Sequence, residues 1–275
     1  LIPPSIPMIL FAVVTGVSLG RLFLAGIIPG ILVGLALMLT TWLLLRKSNV
    51  PVKEFLWSRV GSTFIRGVPA LMTPVIIIGG ILTGVVTPTE AAVLAVAYAL
   101  LLGIVSRRLG WSEIVDSAIE TAVTTGAVMI MVAAASLYGL VLTREQVPAD
   151  AAQLISRMTE NPLLLLFLIA GLYLVAGAIL DLGANIIILV PVLYPVVLQF
   201  GIDPVHFGIV TVAALAIGLV TPPVGICLFV ASAIAGIGIT AASRAVVPFF
   251  LALLAILCLI ILVPEIALWL PRVMR

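Results

Sequence analysis

The residues best suited to chemistry lie in one apolar stretch, Gly218-Leu219-Val220-Thr221-Pro222-Pro223-Val224-Gly225. The surrounding run, from Pro204 to Ser243, contains no Asp, Glu, Lys or Arg. As one straight helix it would be about 60 Å long, roughly twice the hydrocarbon thickness of a bilayer. Two adjacent prolines remove two backbone donors and disfavour a helical conformation in the residue before them. The run must therefore break at this point.

Helix breaks at membrane depth expose backbone groups that need protein or water around them, and secondary transporters bind ions at such breaks. We expect Thr221 to cap a helix that restarts at Pro222, a favoured first helical position. The alternative is a proline kink that only shapes packing. The combination of two prolines, a threonine and two glycines favours a binding site, whose predicted residues are Gly218, Thr221, Pro222, Pro223, Val224 and Gly225.

A second motif combines Thr87, Pro88 and Glu90 between two long apolar runs. Thr87 as N-cap, Pro88 at the first helical position and Glu90 three residues after the cap predict a capping box. An acidic residue between apolar runs is also typical of an ion or solvent pathway. The two interpretations are compatible, and both Thr87 and Glu90 are retained as candidate site residues.

A third group of polar residues, Asp181, Gly183 and Asn185, separates two apolar arms within 163–200. Each arm has about 18 residues, near the lower limit for crossing a bilayer. The segment is either two spans joined by a tight turn or a re-entrant hairpin whose tip stops inside the membrane. The tip has no Lys or Arg, and it supplies oxygen ligands instead. Sodium prefers such hard oxygen ligands, which Thr hydroxyls, Asn amides and carbonyls at a broken helix provide.

Composition sets the class of protein. Hydrophobic residues make up 64% of the 275 residues and charged residues 9%, and several runs exceed 18 apolar residues. This predicts an all-α, polytopic membrane protein rather than a barrel, whose strands would alternate in polarity. The net charge of +2 gives no reason to expect a nucleic-acid partner. The chain has one His and no HExxH motif, so we expect no enzyme. A channel would need polar residues along whole helices, whereas here they concentrate at breaks.

Three further patterns concern packing and repeats. Gly26, Gly30 and Gly34 recur every four residues, which predicts close approach of another helix. The Ala-, Gly- and Thr-rich segment 117–142 is expected to pack inside the bundle. The segment 2–11 resembles the segment 221–230, because each has a Pro-Pro pair followed by a short apolar helix. Paired breaks of this kind indicate inverted repeats.

Taken together, these motifs resemble the large membrane subunit of the TRAP (tripartite ATP-independent periplasmic) transporters. The resemblance covers the chain from end to end, and the matching pieces are IPPSIPMIL at 2–10, LFLAGIIPG at 22–30, GGILTGVVTPTEAA at 79–92, GIDPVHFGIV at 201–210 and GLVTPPVGICLFVASAIAG at 218–236. The family's subunit is longer at its N-terminus. We therefore expect this chain to lack the first re-entrant hairpin.

The resemblance implies an elevator-type transporter with inverted repeats, broken helices and a re-entrant hairpin. It implies sodium-coupled uptake of an organic acid, such as a C4-dicarboxylate or a sugar acid, delivered by a periplasmic substrate-binding protein. A small membrane subunit is the implied partner in the lipid bilayer of a bacterial or archaeal inner membrane. No cofactor is implied beyond sodium as the coupling ion. The alternative is a truncated fragment that does not transport and only packs with partner subunits.

The resemblance also implies roles for segments and residues. Residues 1–20 would be the second half of the first broken helix, and 21–142 scaffold and connecting helices. The transport core, with the second hairpin and broken helix, would be 143–243, and 244–275 the C-terminal membrane helix. Pro4 and Ser5 would belong to the first break. Asp181, Gly183 and Asn185 would lie at the hairpin tip, where Ile179 and Leu180 replace the family's frequent Phe-Met. The implied sodium ligands are Thr221, Gly225 and Asn185.

Overall fold

The computed structural model describes residues 1–46, 57–107, 109–146, 159–222 and 225–274. Within these ranges the chain forms α-helices and no strand. The helices are α1 (Ile6–Thr15), α2 (Leu19–Leu45), α3 (Trp57–Leu82), α4 (Pro88–Val105), α5 (Trp111–Arg144), α6 (Pro162–Ile179), α7 (Leu182–Gln199), α8 (Pro204–Gly218), α9 (Ile226–Ala235), α10 (Ile239–Leu262) and α11 (Glu265–Val273).

Helix length and composition establish the class. Among the described residues, seven helices are long and apolar enough to cross a membrane, namely all or most of α2, α3, α4, α5, α6, α7 and α10. The prediction of an all-α polytopic membrane protein is confirmed. Contacts divide the chain into two units, one of Leu1–Leu44 with Met131–Arg275 and one of Leu45–Ile130. The functional division into four segments stays a prediction.

The smaller unit contains a helical hairpin made of α3 and α4. The chain reverses at Gly84, which has a φ of +69°, a conformation that glycine adopts without steric cost. The hydroxyl of Tyr98 on α4 donates to the carbonyl of Pro69 on α3 over 2.8 Å. This bond joins the two helices.

Helix α8 forms the core of the larger unit. Thirteen of its 15 residues are buried, because α1, α6, α7, α10 and α11 all pack against it. A helix that is apolar all round belongs in such an interior position. Its start is fixed by Asp203, whose Oδ1 accepts from the backbone N–H of Val205 at 2.8 Å and of His206 at 3.3 Å. Its length of about 22 Å is less than a bilayer's hydrocarbon core.

The single histidine of the chain links α8 to the end of α10. His206 is 2% exposed, and its Nε2 lies 2.9 Å from the carbonyl oxygen of Ile260. Because a carbonyl only accepts, this Nε2 carries the proton. The usual donor to Ile260 would be the amide of residue 264, which is a proline and has no N–H. His206 therefore supplies the hydrogen bond that Pro264 cannot.

The repeat seen in the sequence extends over two helices in each copy, α1 with α2 and α9 with α10. Helices α1 and α9 both have 10 residues. They end at glycines with positive φ, Gly16 at +73° and Gly236 at +65°, and each leads into a long helix, α2 or α10. Pro29 in α2 and Pro248 in α10 each follow the second proline of their Pro-Pro pair by the same number of residues. The segments α1–α2 and α9–α10 therefore have the same order and kind of elements.

Two expectations about packing need correction. Gly26 is closely approached by another helix, as predicted, because an added Cβ would lie 2.5 Å from Met8 Cε of α1. Gly30 is approached by the segment before α1, where an added Cβ would lie 2.6 Å from Ile2 Cγ1. Gly34 faces open space. The prediction that 117–142 packs inside the bundle is wrong for the described chain, because the membrane-length part of α5 has no buried residue. Small side chains permit close packing without requiring it, and lipid gives helices no hydrophobic drive to associate.

Candidate functional site

Helices α6 and α7 form a hairpin with a two-residue link, Leu180 and Asp181. Asp181 is the N-cap of α7, and its Oδ2 accepts from the backbone N–H of Gly183 at 2.8 Å. A carboxylate in this position satisfies one of the amides that a helix leaves unpaired at its start. The sequence prediction of a polar turn between two apolar arms is confirmed. How deep the turn lies in a membrane remains a prediction.

Asn185 is the buried polar residue of the hairpin, with 0% exposure. Its Nδ2 donates to the carbonyl oxygens of Ala176, Leu180 and Asp181 at 3.1–3.2 Å. Three carbonyl neighbours can only receive a donor, so they fix which end of the amide is nitrogen. The opposite atom, Oδ1, is buried and has no hydrogen-bond partner among the described residues. Asn185 therefore closes the hairpin with its nitrogen and leaves one acceptor oxygen available.

The broken helix begins where α8 ends. The amide of Val220 donates to Ile217 O at 3.1 Å, and the amide of Thr221 donates to Gly218 O at 2.9 Å, which tightens the last turn. The Thr221 hydroxyl donates to Ile217 O at 2.7 Å. Helix α9 then starts at Ile226 after Gly225, whose φ is +47°.

The predicted capping role of Thr221 is wrong, because its hydroxyl bonds back to the preceding turn, as threonines in helices often do. The helix also restarts at Ile226 and not at Pro222, which is exposed. Gly225 takes the cap position without a side-chain bond. Pro223 and Val224, two of the predicted site residues, lie outside the described residues.

The hairpin and the break meet through backbone atoms. Gly177 of α6 and Gly218 of α8 are so close that a Cβ added to Gly218 would lie 2.7 Å from the Cα of Gly177. The amide of Gly225 donates to the carbonyl of Ala178 at 3.3 Å. Such proximity is possible only because both crossing residues are glycines. The structure thus brings Gly218 and Gly225, with Thr221 beside Gly225, against the end of α6 next to the turn that carries Asp181, Gly183 and Asn185.

The first predicted break lies at the start of α1. Ser5 is 8% exposed and occupies the N-cap position without a side-chain capping bond, and Pro4 precedes it. Helix α1 packs along α7, and Leu10 Cδ1 is 3.4 Å from a Cβ added at Gly183. The break and the hairpin therefore belong to one unit. Ligand binding by Pro4 and Ser5 stays a prediction.

Thr87 and Glu90 lie in the smaller unit. The backbone amide of Thr87 donates to Glu90 Oε2 at 2.7 Å, and the amide of Glu90 donates to Thr87 Oγ1 at 3.3 Å. The predicted capping box is confirmed. A role for either residue on an ion or substrate path stays a prediction.

Sequence reasoning missed Gly177 and Ala178, which form the contact between hairpin and break. One signal was available, since Gly177 stands in the small-residue run Ala176-Gly177-Ala178, one helical turn before Asp181. The donor set of the site is neutral: within the described ranges no three His, Cys, Asp or Glu side chains group as a metal site. The buried, unpartnered Asn185 Oδ1 and the hydroxyl of Thr221 fit a hard monovalent cation such as sodium, which takes oxygen ligands.

Comparison with known proteins supports the resemblance seen in the sequence. Residues 1–266 match the family described as tripartite ATP-independent periplasmic transporter, DctM component. The isethionate TRAP transporter permease protein DctMQ of Oleidesulfovibrio alaskensis is 42% identical over 271 residues, which are 97% of this chain and 42% of that protein. The C4-dicarboxylate TRAP transporter large permease protein DctM of Pseudomonas aeruginosa is 38% identical over 99% of this chain and 64% of its own length.

The sialic acid TRAP transporter large permease protein SiaM of Vibrio cholerae is also 38% identical, over 99% of this chain and 64% of its own length. The chain thus spans 42–64% of the length of these three relatives. The family match covers nearly the whole chain, and the hairpin and the broken helix lie inside the matched residues. This chain therefore belongs to the family of DctM components, the large membrane permeases of the tripartite ATP-independent periplasmic transporters.

Proposed function

We propose that this chain is part of a permease that couples the uptake of an organic acid to sodium. The proposed sodium site lies where the α6–α7 hairpin meets the break between α8 and α9. Its proposed ligands are Asn185 Oδ1, the Thr221 hydroxyl and a backbone carbonyl at Gly225. Asp181 is not among the proposed ligands, and its Oδ2 caps α7.

The observation that carries this proposal is the buried acceptor of Asn185. A buried amide oxygen without a donor costs on the order of 1–3 kcal/mol, and such groups are retained where they serve a ligand. A cation bound to Oδ1 offsets that cost. Asn185 Nδ2 also joins α7 to the end of α6 at the turn. Ion binding and hairpin geometry therefore depend on the same side chain. Sodium binding is therefore expected to stabilise the packing of the hairpin on the break between α8 and α9.

The rest of the machinery is proposed from the family. The three relatives are named for isethionate, C4-dicarboxylates and sialic acid, all of which carry a negative charge at neutral pH. This supports an organic anion as substrate. We propose that a periplasmic binding protein delivers it, that a small membrane subunit packs beside the permease, and that the complex lies in the inner membrane of a bacterium or archaeon. We further propose that the hairpin and broken helix move together, as in an elevator transporter.

The test uses the full-length permease with its small subunit and binding protein in proteoliposomes. Uptake of labelled C4-dicarboxylate, sugar-acid and sulfonate substrates is measured with an inward sodium gradient and with the same gradient of potassium or choline. We expect uptake only with sodium, and we expect sodium alone to raise the unfolding temperature of the purified complex. Equal uptake in potassium, together with no sodium-dependent stabilisation, would refute the sodium site.

A further inference from the structure

The start of α8 is joined to the end of α10 by a buried hydrogen bond. His206 Nε2 donates to the carbonyl oxygen of Ile260 at 2.9 Å, and the two residues are 54 positions apart in the chain. The side chain of His206 is 2% exposed, and Ile260 is 0% exposed. The bond is therefore shielded from water, and it has no part in the ion site proposed above.

This bond closes a loop of chain that contains the broken helix. From His206 the chain runs along α8, through the break, along α9 and then along α10 to Ile260. Helix α9 packs against α10, and α10 packs against α8. A displacement of α9 together with α10 would therefore move Ile260 relative to His206, and the hydrogen bond opposes that movement.

Farther along, α8 and α10 face each other with apolar side chains that are not closely packed. A cavity of about 420 Å³ is lined by Ala213 and Ala216 of α8 and by Leu253 and Leu257 of α10, together with residues of α2. Apolar side chains in lipid give two helices little drive to keep one relative position. A hydrogen bond is short and directional, so the bond at one end of the pair can fix that position.

We propose that His206 is a positioning residue that holds α10, and with it α9, on the central helix. His206 lies twelve residues before Gly218, about 18 Å along the helix axis, so it acts on the break through helices and not by touching an ion. The bond expected to respond is the one from the amide of Gly225 to the carbonyl of Ala178, at 3.3 Å. The sodium part of this inference rests on the proposed function.

Two amide variants of the full-length permease complex differ only in reach. His206→Gln places an amide nitrogen as many bonds from the backbone as Nε2, whereas His206→Asn is one methylene shorter and does not reach Ile260. His206→Leu removes the donor and keeps an apolar side chain. Tyr98→Phe is the matched control, because it also removes a hydrogen bond between two helices, from Tyr98 to Pro69, but in the smaller unit.

The readouts are the unfolding temperature, hydrogen exchange at the amide of Gly225 and the sodium concentration for half-maximal uptake. Exchange at Gly225 is measured without transport. We expect His206→Asn and His206→Leu to exchange at Gly225 about threefold to tenfold faster than the parent, and to need more sodium by a similar factor. His206→Gln and Tyr98→Phe should keep the parental exchange at Gly225.

A double variant separates the position of α10 from the local need of the Ile260 carbonyl for a donor. Pro264→Ala gives residue 264 an N–H and frees Val263 to adopt the helical conformation, so that this N–H can donate to Ile260. Combined with His206→Leu, it should restore the unfolding temperature while Gly225 still exchanges fast. Parental exchange at Gly225 in the double variant would mean that His206 only satisfies a carbonyl, and would overturn the proposal.

Parental exchange at Gly225 in His206→Asn and His206→Leu would also overturn the positioning role. If His206→Leu does not fold, the comparison of His206→Asn with His206→Gln decides. Faster exchange in His206→Asn, in a complex whose parent shows no sodium dependence, would support the positioning role and reject the sodium site. The two proposals can therefore fail separately.

Discussion

Thr221 places a hydroxyl oxygen at the break without using it as a cap. Its one hydrogen is donated to Ile217 O, and the lone pairs of the oxygen remain for an acceptor role. A cation binds such an oxygen without breaking the existing hydrogen bond. The hydrogen bond to the preceding turn fixes the orientation of the Thr221 side chain. The position of the oxygen is therefore set before a cation binds.

Replacing Thr221 with Val keeps the shape of the side chain and removes the oxygen. We expect the sodium concentration for half-maximal uptake to rise about tenfold, which corresponds to roughly 1.4 kcal/mol, with little change in expression. Thr40→Val is the control, because it loses the same type of bond, to Ala36, without touching the break. An unchanged sodium dependence of Thr221→Val would remove Thr221 from the ligand set.

The carboxylate of Glu90 accepts a hydrogen bond from the backbone amide of Thr87 at the start of its own helix. Because Gln also serves at the third position of a capping box, Glu90→Gln should cost within about 1 kcal/mol of unfolding free energy and should transport nearly as well as the parent. Glu90→Ala removes the acceptor and should lose more stability. Both variants are measured for unfolding temperature and uptake. Near-zero uptake by a well-folded Glu90→Gln protein would mean that the charge itself acts on the transport path.

At the scale of elements, the crossing of α6 and α8 limits what can stand at Gly177. An alanine there would bring its Cβ to 2.9 Å from the backbone oxygen of Leu215, and a backbone atom cannot move aside cheaply. We expect Gly177→Ala to lower the unfolding temperature and to abolish most uptake. The matched control is Gly171→Ala on the same helix, where an added Cβ meets nothing within 4 Å. That change should be neutral or slightly stabilising.

The comparison of the two variants distinguishes contact from helix propensity. If Gly177→Ala and Gly171→Ala behave alike, the close contact with α8 has no energetic weight. If only Gly177→Ala fails, the backbone crossing is required for the site. Uptake and unfolding are measured on the same preparations, so that loss of folding and loss of transport are separated.

Elements with a local signal were predictable from the sequence. Asp181 and Asn185 lie between two apolar arms. Thr87 and Glu90 are three residues apart, and a capping box depends only on that local spacing. The restart of α9 at Ile226 was not predictable from Pro222, because the local sequence allows Thr221 either to cap a following helix or to bond back to the preceding turn, as it does. The role of Gly177 depends on its contact with Gly218 of another helix, and its place near the polar turn did not by itself identify that partner.

At the scale of the whole molecule, the repeat of α1–α2 in α9–α10 makes a quantitative test possible. Gly16 and Gly236 end the two short helices with positive φ, and an added Cβ at either would meet nothing within 4 Å. Any cost of Gly→Ala at these positions is therefore backbone strain alone. The repeat predicts that the two costs are equal.

We expect Gly16→Ala and Gly236→Ala each to lower the unfolding free energy by about 1 kcal/mol. Gly34→Ala, in the helical part of α2 with open space around it, should show no loss. Thermal or denaturant unfolding of the purified permease measures all three. A large difference in unfolding free energy between Gly16→Ala and Gly236→Ala would show that the two helix ends contribute differently to stability despite their common geometry.

The class of the protein followed from composition, because a chain with 64% hydrophobic residues must bury its surface in lipid. The position of 117–142 did not follow from composition. Its Ala, Gly and Thr residues are compatible with a packed helix and with the exposed helix α5 that is observed. Which of the two occurs depends on neighbours that the sequence of α5 alone does not encode.

The contacts from Tyr173 to Phe207 and from Gly177 to Gly218 show that α6 and α8 run in parallel, and this has an electrostatic consequence. Both helices end at the hairpin–break contact, and a helix carries roughly half a negative elementary charge at its carboxyl end and half a positive one at its amino end. Two carboxyl ends, at Ile179 and Gly218, thus lie beside two amino ends, at Leu182 and Ile226. The partial charges of the four ends alternate in sign, and the Asp181 carboxylate lies at one of the amino ends. Under the proposed function, a cation drawn to the carboxyl ends and an anion drawn to the free amino end would lie side by side, each lowering the cost of binding the other.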